Sequence, residues 1–490
     1  MSDKASRWPF TPLQTAVLAV LAVVLCLVCG GSGTVLALYW NRLPVSGLAA
    51  RPTPTPLPPM PTPTVTPILI PTPRPTVPLP QAAPTLAPTP TATYAVAPEF
   101  INRDKIREIS QFVEQWRELS LPAPLPIEFL TRRQVAEQYR SESLDRETLE
   151  AIRTQQEFYR ALGLLEPGVD LVEAALQSQA DILLGYYNPD EQTMYIIAES
   201  VNMFAEEEMT YAHEYTHALQ DHYFDLQTYL AQDVSADAQL AARALPEGDA
   251  KLVQDLFTYQ NITRDQLEYT VYRYMFQEHP TLEGVSPALG IFTFFPYTAG
   301  EYFAIYLFFE GNFTWERVNQ AYRNPPVSTE QVMHPEKYLA GERPVPITLP
   351  DLSPVLGGDW RELDRDVLGE AGFLVWLVDQ IDQQTAIDAA AGWGGDAYTL
   401  WVNNQDQRVL ASLSQWDAAG EAVEFVNAFA AYMDSREMDG GAKSYQDGPA
   451  QVWEYAGGVS LLSRRGAQVL IIVAPDVPTL NAVRGRFAGF

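Results

Sequence analysis

The sequence predicts an α+β fold, and three observations carry that prediction. Helical periodicity dominates from about Pro98 to Asp396, interrupted by one strand and one hairpin pattern. After Asp396 the pattern changes to short strands around a single helix. Before Pro98 the chain is first apolar and then proline-rich, so the globular part starts late.

The chain has 490 residues, a net charge of −29 and a pI near 4.5. That length suggests two or three domains. The negative charge opposes phosphate backbones and argues against a nucleic-acid partner. The two cysteines, Cys26 and Cys29, both lie in the N-terminal apolar run. Any metal site downstream must therefore use His, Asp or Glu.

After a short tail at 1–14, the uncharged run within 15–40 reaches roughly 36 Å as a helix, enough for a bilayer core of about 30 Å. It is longer than a signal-peptide core. The expectation is an uncleaved anchor that places the chain on the cell membrane in a single pass. Cleavage near Ala37 or Ala49 is the alternative. Lys4 and Arg7 ahead of the run favour an extracytoplasmic folded domain, although Arg42 and Arg51 follow it. Residues 41–97 are rich in Pro and Thr, which suits an extended stalk.

A helix is expected through "INRDKIREISQFVEQWREL", with Ile101, Ile106, Ile109 and Phe112 on one side. "PLPIEFLT" reads as a strand. Further helices are expected from Asp145 to Leu164 and from Val169 to Ala180. "DILLGYYNPDEQTMYII" reads as a hairpin turning at "NPDEQ".

The next helix contains "TYAHEYTHALQD", Thr210 to Asp221. Met209, Ala212, Thr216, Leu219 and Tyr223 form its expected buried stripe. His213 and His217 are four apart and lie one turn from each other on one face, where both imidazoles can reach one ion. Glu214 points about 100° away, too far to ligate easily, but it could reach a water beside the ion. This is the H-E-x-x-H arrangement of two ligands and a general base. A third ligand is expected downstream in "ADAQLAARALPEGDAKLVQDLF", a helix interrupted at Pro246. Glu247, placed in the first turn after that proline, is the candidate; Asp237 and Asp249 are its rivals.

"HEYTH" followed by "EGDA" resembles the gluzincin metallopeptidases. The resemblance implies zinc held by His213, His217 and Glu247, with Glu214 as general base. "GYYNP…MYII", "PYTAGEYFAIYLF", "PPVSTEQVMHPEKYL" and "GWGGDAY" also look like segments of a secreted or membrane-anchored zincin-like group. The fold so implied is a zincin-like core over 98–396. Thirty positions separate His217 from Glu247, more than in thermolysin-type enzymes. The implied activity is zinc-dependent hydrolysis of a peptide or protein, and the alternative is a stalked binding module that keeps the fold without turnover. An oxyanion-stabilising residue is expected among His334, Tyr297, Tyr302 and Tyr338, with His334 the choice for a catalytic role.

"GWGGDAY" is expected to make a tight glycine turn that packs Trp393, with no chemistry at Asp396. A small α+β unit at 397–490 follows. Its strands are "YTLWVNN", "RVLASL", "AQVWEY", "VSLLS" and "AQVLIIV". Its helix "WDAAGEAVEFVNAFAAYM" presents Val423, Phe425, Ala428 and Tyr432 to the core, and a short helix ends the chain.

Overall fold

A computed structural model describes residues 103–131, 134, 146–171, 185–197, 203–231, 234–276, 284–437 and 443–490. The expected anchor and stalk lie outside the described residues, as does almost all of the helix expected from Val169 to Ala180. No helix among the described residues is long and apolar enough to cross a membrane.

The fold is α+β. The first part runs α1 (Arg103–Arg117), β1 (Ile127–Leu130), α2 (Arg146–Leu162), β2 (Gly185–Asn188), β3 (Thr193–Ile197), α3 (Ala205–Phe224), α4 (Leu226–Leu230), α5 (Ala236–Asn261), α6 (Arg264–Phe276) and α7 (Gly290–Glu310). The expected hairpin forms: β2 pairs antiparallel with β3, and Asn188 Oδ1 accepts the Asp190 N–H at 2.9 Å in its turn. β1 adds parallel to the other side of β3, so β2 is the edge strand. In α1, Ile106, Ile109 and Val113 are buried, and Phe112 meets Phe257 edge-on at 5.3 Å.

α3 packs on this sheet and against α5, and α5 packs against α7. α5 and α7 touch backbone to backbone. A Cβ on Gly248 would fall 2.0 Å from the Gly300 carbonyl carbon, and one on Gly300 would fall 2.1 Å from Ala244 O. Only glycine permits so close a crossing.

Short helices α8 (Glu316–Ala321), α9 (Thr329–Met333), α10 (Pro335–Ala340) and α11 (Ser353–Leu356) lead to the second part. There β4 (Trp360–Asp366), α12 (Gly369–Val378), α13 (Gln383–Ala390), β5 (Trp393–Asn403), β6 (Arg408–Trp416), α14 (Ala419–Glu437), β7 (Lys443–Asp447), β8 (Ala450–Tyr455), β9 (Gly458–Arg465), β10 (Gln468–Ala474) and α15 (Val477–Arg484) follow. The strands form one antiparallel sheet in the order β4-β5-β6-β10-β9-β8-β7. Leu352, Val409, Leu461, Ile472 and Leu480 fill one face. On the helical side Trp416 stacks on Phe425 at 4.3 Å, and Phe425 meets Phe373 edge-on.

Four expectations are corrected. The division after Asp396 falls inside β5, and the sheet already begins at Trp360. "GWGGDAY" is strand and not a tight turn; its glycines make a bulge between Trp393 and Gly395 that lets the strand keep pairing with β6. Tyr223 is 46% exposed, because it sits in the last turn of α3 with its hydroxyl on Ser120 O. Val423 is exposed, whereas Phe425, Ala428 and Tyr432 are buried as expected.

Candidate metal centre

α5 runs unbroken through Pro246, contrary to the interruption expected there. Proline lacks the N–H that would reach the carbonyl one turn back. That carbonyl, Ala242 O, instead accepts the Tyr229 hydroxyl of α4 at 3.0 Å. Pro246 O accepts Gln220 Nε2 of α3, also at 3.0 Å. With these groups satisfied the helix continues, and Glu247 lies in its middle rather than in a first turn.

Glu247 and the two histidines meet between α5 and α3. His213 Nε2 lies 3.1 Å from His217 Nε2 and 3.1 Å from Glu247 Oε2, and His217 Nε2 lies 3.4 Å from the same oxygen. A tetrahedral ion with bonds of roughly 2.0–2.1 Å separates its ligands by about 3.3 Å. Three lone-pair atoms at that spacing could hold one metal ion. Burial lowers the affinity of His217 for a proton, but the charge of Glu247 and its hydrogen bond prevail and raise the pKa to about 9. For Glu247 burial acts upward, yet both histidines hold its carboxyl well below the usual range.

The two imidazoles are held differently. His217 Nδ1 is 2.8 Å from Gln220 Oε1, while Gln220 Nε2 donates to Asp249 Oδ2 at 3.1 Å. Asp249 also takes Arg117 Nε at 2.8 Å and the Tyr322 hydroxyl at 2.8 Å. Arg117, Gln220 and Asp249 are all fully buried. His213 Nδ1 is buried and has no hydrogen-bond partner among the described residues. Its ring is set by packing, edge-on to His217 at 4.7 Å and tilted against Tyr297 at 6.0 Å.

Glu214 Oε2 accepts the backbone N–H of Tyr187, on edge strand β2, at 3.0 Å. The Tyr187 hydroxyl donates to Asp221 Oδ2 at 2.9 Å and pins β2 to α3. Glu214 is thus aimed beside the triad without belonging to it.

Of the rival ligands, Asp249 serves the buried Arg117. Asp237 accepts the N–H and hydroxyl of Thr329. His222 is exposed, against Tyr223. His334 is a correction: its Nε2 lies 2.9 Å from Glu370 Oε1, its Nδ1 3.8 Å from Glu336, and none of its partners belongs to the triad. The glutamate buried in α12 holds it elsewhere. Among the expected oxyanion candidates, Tyr297 is the one brought to the triad. Burial, then the charges of Glu247 and Glu214, push its hydroxyl pKa up. Tyr338 donates to Asn324 O, and Tyr302 senses Glu336 instead. Asp396 caps the Leu368 and Gly369 amides, each at 3.0 Å.

A second cluster of Glu330, Glu342 and Asp417 has its centre filled by Lys337 Nζ, at 2.6, 3.3 and 2.6 Å respectively. The ammonium already supplies the cation there.

Sequence reasoning missed Gln220, although its place three positions after His217 on one helix face was a usable signal. Arg117 and the Tyr187 amide left no local signal, since each reaches the site only through packing.

A family model described as a domain of unknown function (DUF8575) matches residues 356–484, from the end of α11 to the end of α15. That stretch is the seven-stranded sheet with its helices and contains none of His213, Glu214, His217 and Glu247. No curated protein and no solved structure matches the chain.

Proposed function

We propose that the chain is a zinc-dependent peptidase of gluzincin type with a zincin-like core. In this reading it is anchored by residues 15–40 and acts outside the cytoplasm on a peptide or protein. One observation carries the reading: His213, His217 and Glu247 converge at metal-ligand spacing while Glu214, adjacent in sequence, stands outside the triangle. Two imidazoles and a carboxylate without thiolate suit zinc and leave one position open for chemistry. When bound, zinc supplies Lewis acidity that polarises a carbonyl and makes water nucleophilic near neutral pH.

The chain's own groups divide the remaining work. Glu214 accepts the proton of the attacking water and returns it to the leaving amine. The Tyr187 amide orients that carboxylate, and Tyr187 on edge strand β2 lines a cleft together with His217 and Glu247. Tyr297 donates to the oxygen that gains charge.

The test is Glu214→Gln in the full-length chain, with zinc content and peptide hydrolysis measured on one sample. Zinc should stay, and hydrolysis should fall by roughly 10²–10⁴-fold. Undiminished hydrolysis, in a preparation free of contaminating protease, sinks the mechanism. A zinc-loaded wild type that cleaves nothing would leave a binding module.

A further inference from the structure

A cleft of about 190 Å³ opens directly beside the triad, with His217 and Glu247 in its wall. At roughly 30 Å³ per water it holds about six waters, the room of one side chain. Leu226, Leu230 and Pro246 make much of its lining apolar. Arg243 is the only lysine or arginine among the described residues that line it.

Arg243 precedes Glu247 by four residues on α5, so the two share a helix face one turn apart. Its side chain is exposed, and no carboxylate pairs with it among the described residues. Two less exposed cations of this acidic chain are paired, Arg117 by Asp249 and Lys337 by Glu330, whereas Arg243 stands in a cleft wall without such a partner. Asp190, next in sequence to the lining residue Pro189, is taken by the Gln227 amide. Glu247 is turned to the histidines. A free guanidinium above an apolar wall offers a planar two-point fit to a carboxylate whose methylenes rest on Leu226 and Leu230.

We propose that this cleft is a specificity subsite for a carboxylate-bearing residue next to the scissile bond. The inference rests on the peptidase reading for the position of that bond. The carboxylate is either an Asp or Glu side chain or the substrate's C-terminus. The chain's net charge of −29 repels anions at long range, so the selectivity arises by contact at Arg243.

The test uses the full-length, zinc-loaded chain in detergent with matched fluorogenic peptides. One set exchanges Asp or Glu for Asn or Gln with the C-terminus amidated; the other compares free with amidated C-termini. One set should show a roughly 10- to 100-fold higher kcat/KM for the carboxylate form, as one charge-assisted pair provides. The set that responds identifies the source. Arg243→Gln should abolish the preference, and Arg243→Glu should shift it towards Lys-bearing peptides, both with unchanged zinc content. Binding of the same peptides to zinc-loaded Glu214→Gln, read by fluorescence anisotropy, separates the two ideas. Cleavage without charge preference, or a preference that survives Arg243→Gln, overturns the subsite and leaves the peptidase reading. Charge-selective binding that depends on Arg243, with no cleavage by the wild type, supports the subsite and overturns the peptidase. Binding without charge selectivity overturns the subsite.

Discussion

Gln220 Oε1 lies 2.8 Å from Nδ1 of His217, one helical turn earlier on α3. The Gln220 amide nitrogen is committed to Pro246 O and Asp249 Oδ2, so its oxygen must face the imidazole. His217 therefore carries a proton on Nδ1, and in the neutral imidazole Nε2 is the free nitrogen facing the triad. Gln220→Ala should weaken zinc binding by roughly 10–100-fold while the fold persists. Competition against a chelator measures this, and an unchanged affinity would show that packing alone orients the ring.

The full-length chain should hold one zinc ion per molecule, and His217→Ala or Glu247→Ala should remove most of it. Asp237→Asn should not, because Asp237 is spent on Thr329. Metal analysis of the three variants checks the assignment; loss in Asp237→Asn alone would move the third ligand.

Gly300→Ala should destabilise the protein by about 1–3 kcal/mol or more, since the added methyl meets Ala244 O at 2.1 Å. It should also loosen zinc, because the α5–α7 contact positions both Glu247 and Tyr297. Gly290→Ala, at the open start of α7, is the control and should change little. Equal denaturation midpoints for the two variants would contradict the close crossing.

Burial raises the pKa of Asp237 to about 7 against the opposing hydrogen bonds from Thr329. The unfolded chain releases this proton near pH 4 and the folded chain near pH 7. Between those values the folded state binds more protons, so this group's contribution to stability falls as pH rises, by at most about 1.4 kcal/mol per unit. Asp237→Asn should gain stability relative to wild type across that window and hold the gain above it. Urea denaturation at pH 4.5, 6 and 8 tests the trend, and a difference independent of pH would refute it.

Local patterns were legible wherever contacts lie within a few residues. His213, Glu214 and His217 share one helix, so their spacing alone sets their directions. The β2–β3 hairpin turns on Asn188, whose side chain bonds the next two amides but one. The C-terminal strands are short apolar runs bounded by turn residues, so each can be read individually.

Pro246 shows where this fails. Its neighbours in sequence imply a break, and the break is prevented by the Tyr229 hydroxyl from another helix. The chemistry of His334 suits a catalytic role, but Glu370, 36 positions along the chain, occupies its imidazole. Gly394 and Gly395 suggested a turn, and pairing with β6 made them a bulge.

The sequence by itself determined the α+β class, the histidine pair with its adjacent glutamate, and the exclusion of thiolate ligands from the globular part. Only the tertiary structure decided that Glu247, and not Asp237 or Asp249, meets those histidines. It also decided that Tyr297 stands beside them and that Arg117, Asp249 and Gln220 brace His217. The reason is physical: backbone periodicity fixes directions within one element, whereas meeting across α3, α5 and α7 depends on glycine contacts and buried polar pairs drawn from distant parts of the chain.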